Sequence, residues 1–495
     1  MISLNALIHR LELVGLVRRK RGHFTDIDID HLAYDSRRIG PGGLFVAVRG
    51  EIADGHLFID KAVQNKAVAI VCEAIPADAS TRFAGIAFVH VMDSRAALAE
   101  LAAAFYGDPS QELKMVGITG TNGKTTTATL IRDLMESQGT KTGLLGTIAY
   151  HFGESPVAAT HTTPDAIEIN RMLRQMVKIG YEACVMEVSS HALAQDRVRS
   201  LDFDVALFSN LTRDHLDYHR SFQEYLAAKK KLFDGLPEDA MALYNADDPA
   251  GLEIIEETKA QVTSYGLTPD ADLHAKILTN RIEGLRLRVD GKEQAFRLVG
   301  RFNAYNLLAA YGAGRALGIP PASALLDLAK AEPVPGRFEQ ICFSDGTTVV
   351  VDYAHTPDAL ENVLRTLRDV IPETTHLWCV FGCGGDRDPV KRRYMGGIAE
   401  CYADALIVTS DNPRTEDPDS ILNDIRRGMD HPTEARWIVQ RRDAIREAAL
   451  LARPGDVVLV AGKGHETYQV IGTERIPFDD REEVRRSFAP HNSNP

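Results

Sequence analysis

Cysteine is scarce in this chain, with six in 495 residues, at positions 72, 184, 342, 379, 383 and 401. Thiols scattered mostly through apolar runs make no disulfide framework and suit buried groups in a reducing compartment. Cys379 and Cys383 stand four apart, but no second pair accompanies them, so no zinc site is expected there. Positive charge is also short: 56 Lys and Arg face 69 Asp and Glu, a net charge of −13. That balance excludes a broad nucleic-acid or anionic-membrane surface and leaves any anionic ligand to local clusters and backbone donors. No apolar run reaches the ~18 residues of a membrane span, and the stretch Met1 to Arg10 is not an apolar leader. Repeats and low-complexity tracts are missing, and His491 to Pro495 reads as a frayed tail. Two chemistries lack their signatures. No Gly-x-Gly-x-x-Gly follows the first strand, and Glu187-Val188-Ser189-Ser190-His191 has no glycines for a nucleophile elbow.

What is present is ordinary globular composition, 44% hydrophobic and 25% charged, in a chain long enough for about three domains. Its most informative stretch is Gly117-Ile118-Thr119-Gly120-Thr121-Asn122-Gly123-Lys124-Thr125-Thr126, after the apolar pair Met115-Val116 and before a helix expected from Thr125 to Ser137. Such a strand, loop and helix hold phosphate. Glycines let backbone N–H groups converge on an anion, the helix N-terminus adds its dipole, and Lys124 adds a mobile charge. Thr125 stands where a hydroxyl would ligate Mg2+. The usual pattern wants glycine at position 118, where this chain has Ile118.

Three blocks emerge: 1–109, 110–334 and 335–495. The first carries short strands at Leu44 to Val48 and Ala67 to Val71 and a helix from Ser94 to Tyr106, ended by Gly107-Asp108-Pro109. The second alternates strands at 115–118, 183–188 and 204–209 with helices, the rhythm of a parallel sheet, while 262–298 looks antiparallel. The third repeats that rhythm at Val349 to Asp352, Leu377 to Phe381, Ala405 to Thr409 and Val457 to Ala461. The fold class is therefore α/β: a central P-loop mononucleotide-binding domain with a parallel sheet, a Rossmann-like C-terminal domain and a smaller N-terminal α/β domain. Nearly every strand runs straight into a polar or glycine-rich segment. Ligands bind at the carboxyl ends of strands in open parallel sheets, which predicts a cleft between two domains.

Those segments carry the candidate chemistry. Glu187, His215 and Thr125 offer oxygen ligands and one imidazole to a divalent metal; a surface carboxylate at a strand end is the alternative for Glu187. His215 and His219 have zinc-like spacing but no third partner, so His215 is taken as the ligand and His219 as structural. Lys229-Lys230-Lys231, in a helix, reads on composition as a solvated basic face. In the third block Arg387, Lys391, Arg392, Arg393 and Arg414 lie near glycines, with Asn412 and Glu466. Arginine forks suit carboxylates and Glu466 suits an ammonium, a pairing that fits an amino acid. Surface ion pairs are the alternative for any one of them.

Taken in order, these stretches resemble the Mur ligases over essentially the whole chain. The matching motifs are Asp35-Ser36-Arg37, the phosphate loop, Thr162-Thr163-Pro164, Glu187 to His191, Asn210 to His215, Gly300 to Asn306, Pro335 to Glu339, Asp352 to His355 and Asp411-Asn412-Pro413-Arg414. That family shares the displaced glycines around Ile118. The resemblance implies a cytoplasmic, monomeric, ATP- and Mg2+-dependent amide ligase that adds the third residue of the peptidoglycan stem peptide. Its substrates would be UDP-N-acetylmuramoyl-L-alanyl-D-glutamate and meso-diaminopimelate, joined through an acyl phosphate.

Carried over by motif, Gly120, Thr121, Asn122, Gly123, Lys124, Thr125, Thr126, Asn306, Arg337 and Asp352 would hold ATP. Ser36, Thr162, Thr163, Ser189, Gln195 and Arg197 would contact the nucleotide dipeptide. Arg387, Asp411, Asn412, Pro413, Arg414, Gly462 and Glu466 would hold the amino acid. Lys124, Lys229, His215 and Arg337 would serve catalysis, with Lys229 carbamylated as a metal ligand beside Thr125, Glu187 and His215. Arg414 points to diaminopimelate over lysine because it rewards the extra carboxylate. A lysine-adding relative remains an alternative. So do a folylpolyglutamate synthase, which lacks the first block, and a nucleotide-gated regulatory protein, which needs no amino-acid pocket.

Overall fold

The computed structural model describes residues 1–50, 53–159, 161–212 and 218–489. Among these, three main sheets follow one another along the chain, each covered by helices on both faces.

The first has five strands in the order Val17–Arg21, Ala87–Val91, Ala67–Cys72, Gly43–Val46 and His31–Ala33, with only Val17–Arg21 antiparallel. Alternation along Ala67–Cys72 fills two cores. Ala69 and Val71 meet the helices Leu4–Leu13 and Ser94–Tyr106, while Ile70 and Cys72 meet Ile59 and Phe83. Helix Ser94–Tyr106 is bounded as its residues dictate. The Asp93 carboxylate accepts from the N–H groups of Arg95 and Ala96, and Gly107 ends the helix at φ +74°.

The central sheet has eleven strands. Seven run parallel: Thr142–Leu145, Ala183–Glu187, Lys114–Thr119, Val205–Phe208, Met241–Asn245, Gln261–Gly266 and Leu273–Arg281. The expectation of an antiparallel piece over 262–298 is corrected. Gln261–Gly266 and the start of Leu273–Arg281 continue the parallel sheet, and only Gly284–Val289 and Lys292–Phe296 close it as an antiparallel meander. So short a parallel connection runs against the usual need for a long crossover. It is pinned by Asp272, whose Oδ2 accepts from both the N–H and the hydroxyl of Ser264.

The last sheet has six strands in the order Glu339–Cys342, Thr348–Asp352, Val457–Ala461, Leu377–Phe381, Ala405–Val408 and Arg436–Trp437, parallel but for the first. Val457–Ala461, late in the chain, inserts between Thr348–Asp352 and Leu377–Phe381. Segments far apart in sequence, after Asp352, Phe381 and Ala461, thereby leave the same sheet edge as neighbours.

Four cysteines, 72, 184, 379 and 383, are buried, and burial pushes the thiols of Cys72, Cys184 and Cys383 up to about 12. Cys342 and Cys401 are exposed, against the expectation of buried thiols, since each sits in the last two residues of its element rather than inside an apolar run. Among the described residues no helix is long and apolar enough to cross a membrane.

Candidate functional site

The phosphate loop leaves strand Lys114–Thr119 and enters helix Lys124–Ser137. Gly117 and Ile118 belong to the strand, not the loop. A Cβ on Gly117 would stand 2.8 Å from the Phe203 ring, and Ile118 is core. The turn itself needs Gly120, at φ +147°, and Gly123, at φ +88°, conformations that disfavour side chains. Segment Ser209-Asn210 braces it: Asn122 N–H donates to Asn210 Oδ1 at 2.9 Å, and the Ser209 hydroxyl donates to the Asn122 carbonyl at 2.7 Å. The Thr121 hydroxyl lies 3.1 Å from the Tyr225 hydroxyl. Lys124 Nζ folds onto the Gly120 and Thr121 carbonyls at 2.9 and 2.8 Å. The helix starts with no side-chain cap, so its first amides face the loop. Thr126 follows, buried, at the helix start. Asn306 backs the loop, its Oδ1 accepting from Thr127 at 3.2 Å and its amide donating to Asn303 at 2.9 Å.

Glu187, at the end of Ala183–Glu187, is only 1% exposed, which overturns the surface-carboxylate alternative. Its Oε2 accepts from the Thr125 hydroxyl at 3.0 Å, and Thr147 N–H donates to Oε1 at 2.8 Å. Lys229, on helix Phe222–Asp234, is equally buried, so the solvated-face reading fails there. Lys229 Nζ donates to the Gly120 carbonyl at 2.8 Å and stands 4.5 Å from the Tyr225 ring centroid. Lys230 pairs with Asp234 and is itself largely buried, and only Lys231, paired with Asp196, keeps the outward behaviour expected of all three. Thr125 and Glu187 thus bring hard oxygen atoms together, the donor chemistry Mg2+ takes. His215 lies outside the described residues. His219 is buried against Ser190 and the rings of Tyr218 and Tyr225.

A continuous polar chain runs from Glu187 towards the first sheet. The Thr163 hydroxyl donates to the Glu187 carbonyl at 2.8 Å and accepts from Ser189 N–H at 3.0 Å. Arg197 donates to the Thr163 carbonyl at 2.8 Å and to Gln195 Oε1 at 2.7 Å. The Thr147 hydroxyl reaches Thr162 at 3.2 Å. Ser36 is not hydrogen-bonded into this set; it is buried in the first unit, its carbonyl accepting from Asn65. Tyr34, two residues earlier, spans the gap by donating to Asp165 Oδ2 at 3.2 Å. Burial and the Asp165 charge push the Tyr34 phenol up to about 12.

From the other side comes Arg337, Nη2 3.4 Å from the Thr125 hydroxyl and its guanidinium carbon 4.6 Å from the Tyr353 ring centroid. Its Nε is buried with no hydrogen-bond partner among the described residues. Asp352 accepts from the N–H groups of Phe338 and Ala354 at 2.7 and 2.8 Å. Burial raises its carboxyl above the usual range, with Arg337 pulling the other way. Gly336, at φ +67°, lies backbone on backbone against Gly464, leaving no room for a Cβ.

Three loops of the last sheet meet beside it. Arg414 takes φ +52°, hydrogen-bonds Val470 and Gly472 through its backbone, and points Nη1 at the Gly385 carbonyl, 2.6 Å away. The Pro413 carbonyl packs on Gly385. Asn412 Nδ2 donates to Glu466 Oε2 at 2.9 Å. Asp411 lies against Gly462, where an added Cβ would be 2.8 Å from its Oδ2. Arg387 is exposed on the rim, bonded to the Asp386 carbonyl. Lys463, which sequence reasoning missed, sits fully buried at the centre, and a lysine between two glycines gives no signal of that. Next to it, burial and the Arg337 charge hold the His465 imidazole down at about 3.

Comparison with known proteins agrees along the length of the chain. Residues 28–106 match the Mur ligase family catalytic domain, 118–314 the Mur ligase middle domain, and 336–464 the Mur ligase glutamate ligase domain. A UDP-N-acetylmuramoyl-L-alanyl-D-glutamate–2,6-diaminopimelate ligase of Cytophaga hutchinsonii is 46% identical over 97% of this chain and 98% of its own. A protein of the same name from Parabacteroides distasonis is 47% identical over 94% of this chain and 96% of its own. A solved structure, also of a ligase of that name, superimposes with a TM-score of 0.69 at 32% identity, covering 97% of this chain and 98% of that one. The chain belongs to the Mur ligase family.

Proposed function

From membership of the Mur ligase family, we propose that the chain joins meso-diaminopimelate to the D-glutamate carboxylate of UDP-N-acetylmuramoyl-L-alanyl-D-glutamate, converting ATP to ADP and phosphate. The observation that carries the amino-acid choice is Arg414, held with Asn412 and Glu466 where the loops of the last sheet converge. The distal end of diaminopimelate has an ammonium and a carboxylate. Glu466 suits the first and Arg414, with Arg387 on the rim, the second. L-Lysine lacks that carboxylate and would leave the arginines no ligand anion to pair with.

A carboxylate is a poor electrophile, so the γ-phosphoryl group is first transferred to the glutamate oxygen and ADP leaves. The amine then attacks the acyl carbon, phosphate departs with the bonding pair, and the amine loses a proton. Residues of this chain act mainly by position and charge. The turn Gly120 to Thr126 presents amides to the phosphates, with Lys124 and Arg337 as cations on either side. Asn306, holding the Thr127 hydroxyl, and Asp352, bracing the backbone of Phe338 and Ala354, shape the nucleotide site. Thr162, Thr163, Ser189, Gln195 and Arg197, with Ser36 across the gap, hold the nucleotide dipeptide. Thr125 and Glu187, with His215 and a carbamylated Lys229, would hold Mg2+, which supplies charge neutralisation at the phosphates. Domain boundaries at 109/110 and 334/335 follow, and the protein acts as a cytoplasmic monomer without nucleic-acid partners.

The test is phosphate release with a panel of amino acids, the product identified by mass. Diaminopimelate alone should turn over efficiently; equal or faster turnover with L-lysine would sink the assignment. Chelating Mg2+ should abolish release and re-adding it restore release.

A further inference from the structure

Lys463 lies in the turn after strand Val457–Ala461 and is 0% exposed. Its Nζ donates to Glu466 Oε2 at 2.8 Å and to Asn412 Oδ1 at 3.2 Å, and stands 3.9 Å from Asp411 Oδ1. Tyr468 closes one side, its ring centroid 5.7 Å away. A buried ammonium is costly unless it is paired and hydrogen-bonded. Here every partner belongs to the proposed amino-acid pocket, while the lysine itself has no surface with which to touch a ligand.

Three consequences follow from donor and acceptor chemistry. Lysine can only donate, so Asn412 must turn its oxygen towards Lys463, where it also accepts from Val470 N–H at 2.8 Å. The Asn412 amide nitrogen then necessarily faces Glu466. With Oε2 taken by both neighbours, Glu466 Oε1 has no partner among the described residues and is left for an incoming ammonium. Finally, Asp411 and Glu466 bring two negative charges to the end of the pocket opposite Arg414, and Lys463 offsets one of them there.

Resting on the proposed function, we infer that Lys463 is a positioning residue that sets amino-acid preference: it lowers the negative charge of the pocket so that a zwitterionic distal end is favoured over a bare cationic one. Specificity of this kind is a difference between two affinities, and unfavourable charge against the wrong ligand serves as well as contacts to the right one. Arg414 rewards the carboxylate of diaminopimelate. Lys463 withholds from L-lysine the surplus anion that would attract its ε-ammonium.

The experiment measures kcat and KM for diaminopimelate and L-lysine in the wild type, Lys463→Met and Lys463→Gln. Wild-type turnover of diaminopimelate tests the proposed function; only a change of preference on substitution tests this inference. In Lys463→Met the KM for diaminopimelate should rise about 30-fold or more, the scale of a lost buried charge partner, while KM for L-lysine falls or holds. The preference ratio should therefore shift towards lysine. KM for ATP should stay unchanged, and Lys463→Gln, keeping one donor, should fall between. Equal loss for both amino acids would mean a purely structural lysine and overturn the inference. If neither variant folds, a crystal structure of the wild type with diaminopimelate decides. The ligand ammonium should sit on Glu466 Oε1 with Lys463 still on Oε2; displacement of Lys463, or an ammonium bound elsewhere, overturns it.

Discussion

Arg337 reaches the Thr125 hydroxyl at 3.4 Å across a sequence separation of 212 residues. Through this contact the unit that carries the amino-acid loops meets the unit that carries the phosphate loop. The guanidinium is aimed by the Tyr353 ring beneath it, and its buried Nε has no partner among the described residues. A buried donor left unsatisfied is a cost the fold bears unless a ligand group arrives.

Arg337→Ala is therefore expected to lower kcat about 100-fold, the scale of one lost transition-state donor, with little change in KM for the amino acid. Arg337→Lys should recover little, because a point charge does not reproduce a planar fork stacked on Tyr353. Steady-state phosphate release with each substrate varied in turn provides the check. A raised amino-acid KM with intact kcat would assign Arg337 to binding instead.

Replacing Arg414 separates the two ends of the reaction. Arg414→Ala should raise KM for diaminopimelate about 10- to 100-fold, from the ~1–3 kcal/mol of an unpaired charged hydrogen bond, and leave KM for ATP alone. Because Arg414 adopts φ +52°, a conformation that asparagine tolerates better than most residues, Arg414→Asn serves as a backbone control. Equal effects on both substrates would count against a role at the amino-acid carboxylate.

Lys229 offers a chemical test. If its amine carries a carbamate, enzyme prepared in 13C-bicarbonate should show a carbamate carbon resonance that Lys229→Met lacks, and the variant should lose turnover about 100-fold or more. A wild-type protein active without that resonance would leave Lys229 as a buried ammonium on the Gly120 carbonyl.

His465 predicts a pH dependence of stability. Its folded value is about 3 against an ordinary 6.5, so between those limits the unfolded chain binds a proton that the folded chain refuses. Stability should therefore fall as pH drops from 6.5 towards 3 and recover as pH rises. Relative to a His465→Gln variant, the wild type should lose about 2 kcal/mol between pH 7 and pH 5, read from urea unfolding midpoints. Parallel curves for the two proteins would refute the burial of a neutral imidazole.

What could be read from the residues was whatever obeys a local rule. Gly120, Gly123 and Lys124 announce a phosphate turn because positive φ and helix-end amides are properties of a few consecutive residues. The end of Ser94–Tyr106 was legible for the same reason, in Gly107. Lys229 was not, because Lys229, Lys230 and Lys231 are chemically identical in sequence. Only the packing of helix Phe222–Asp234 on the phosphate loop turns one of them inward. Lys463 was obscured for the same kind of reason, since its burial depends on strands that arrive from elsewhere. Gln261–Gly266 was misjudged because a strand six residues long carries no mark of its neighbours' direction. Asp272, which fixes that pairing, lies in the connecting loop.

The close backbone contact between Gly336 and Gly464 has a mechanical meaning. The first turn of the third unit is also the floor under the loop that includes Lys463 and Glu466. Two backbones in contact, with no side chain between them to flex, transmit displacement like a stiff lever. A swing of the third unit about Pro335 would carry Arg337 towards or away from Thr125 and shift the amino-acid loop in the same stroke. Thickening either glycine by a single methyl group would force these two turns of the third unit apart.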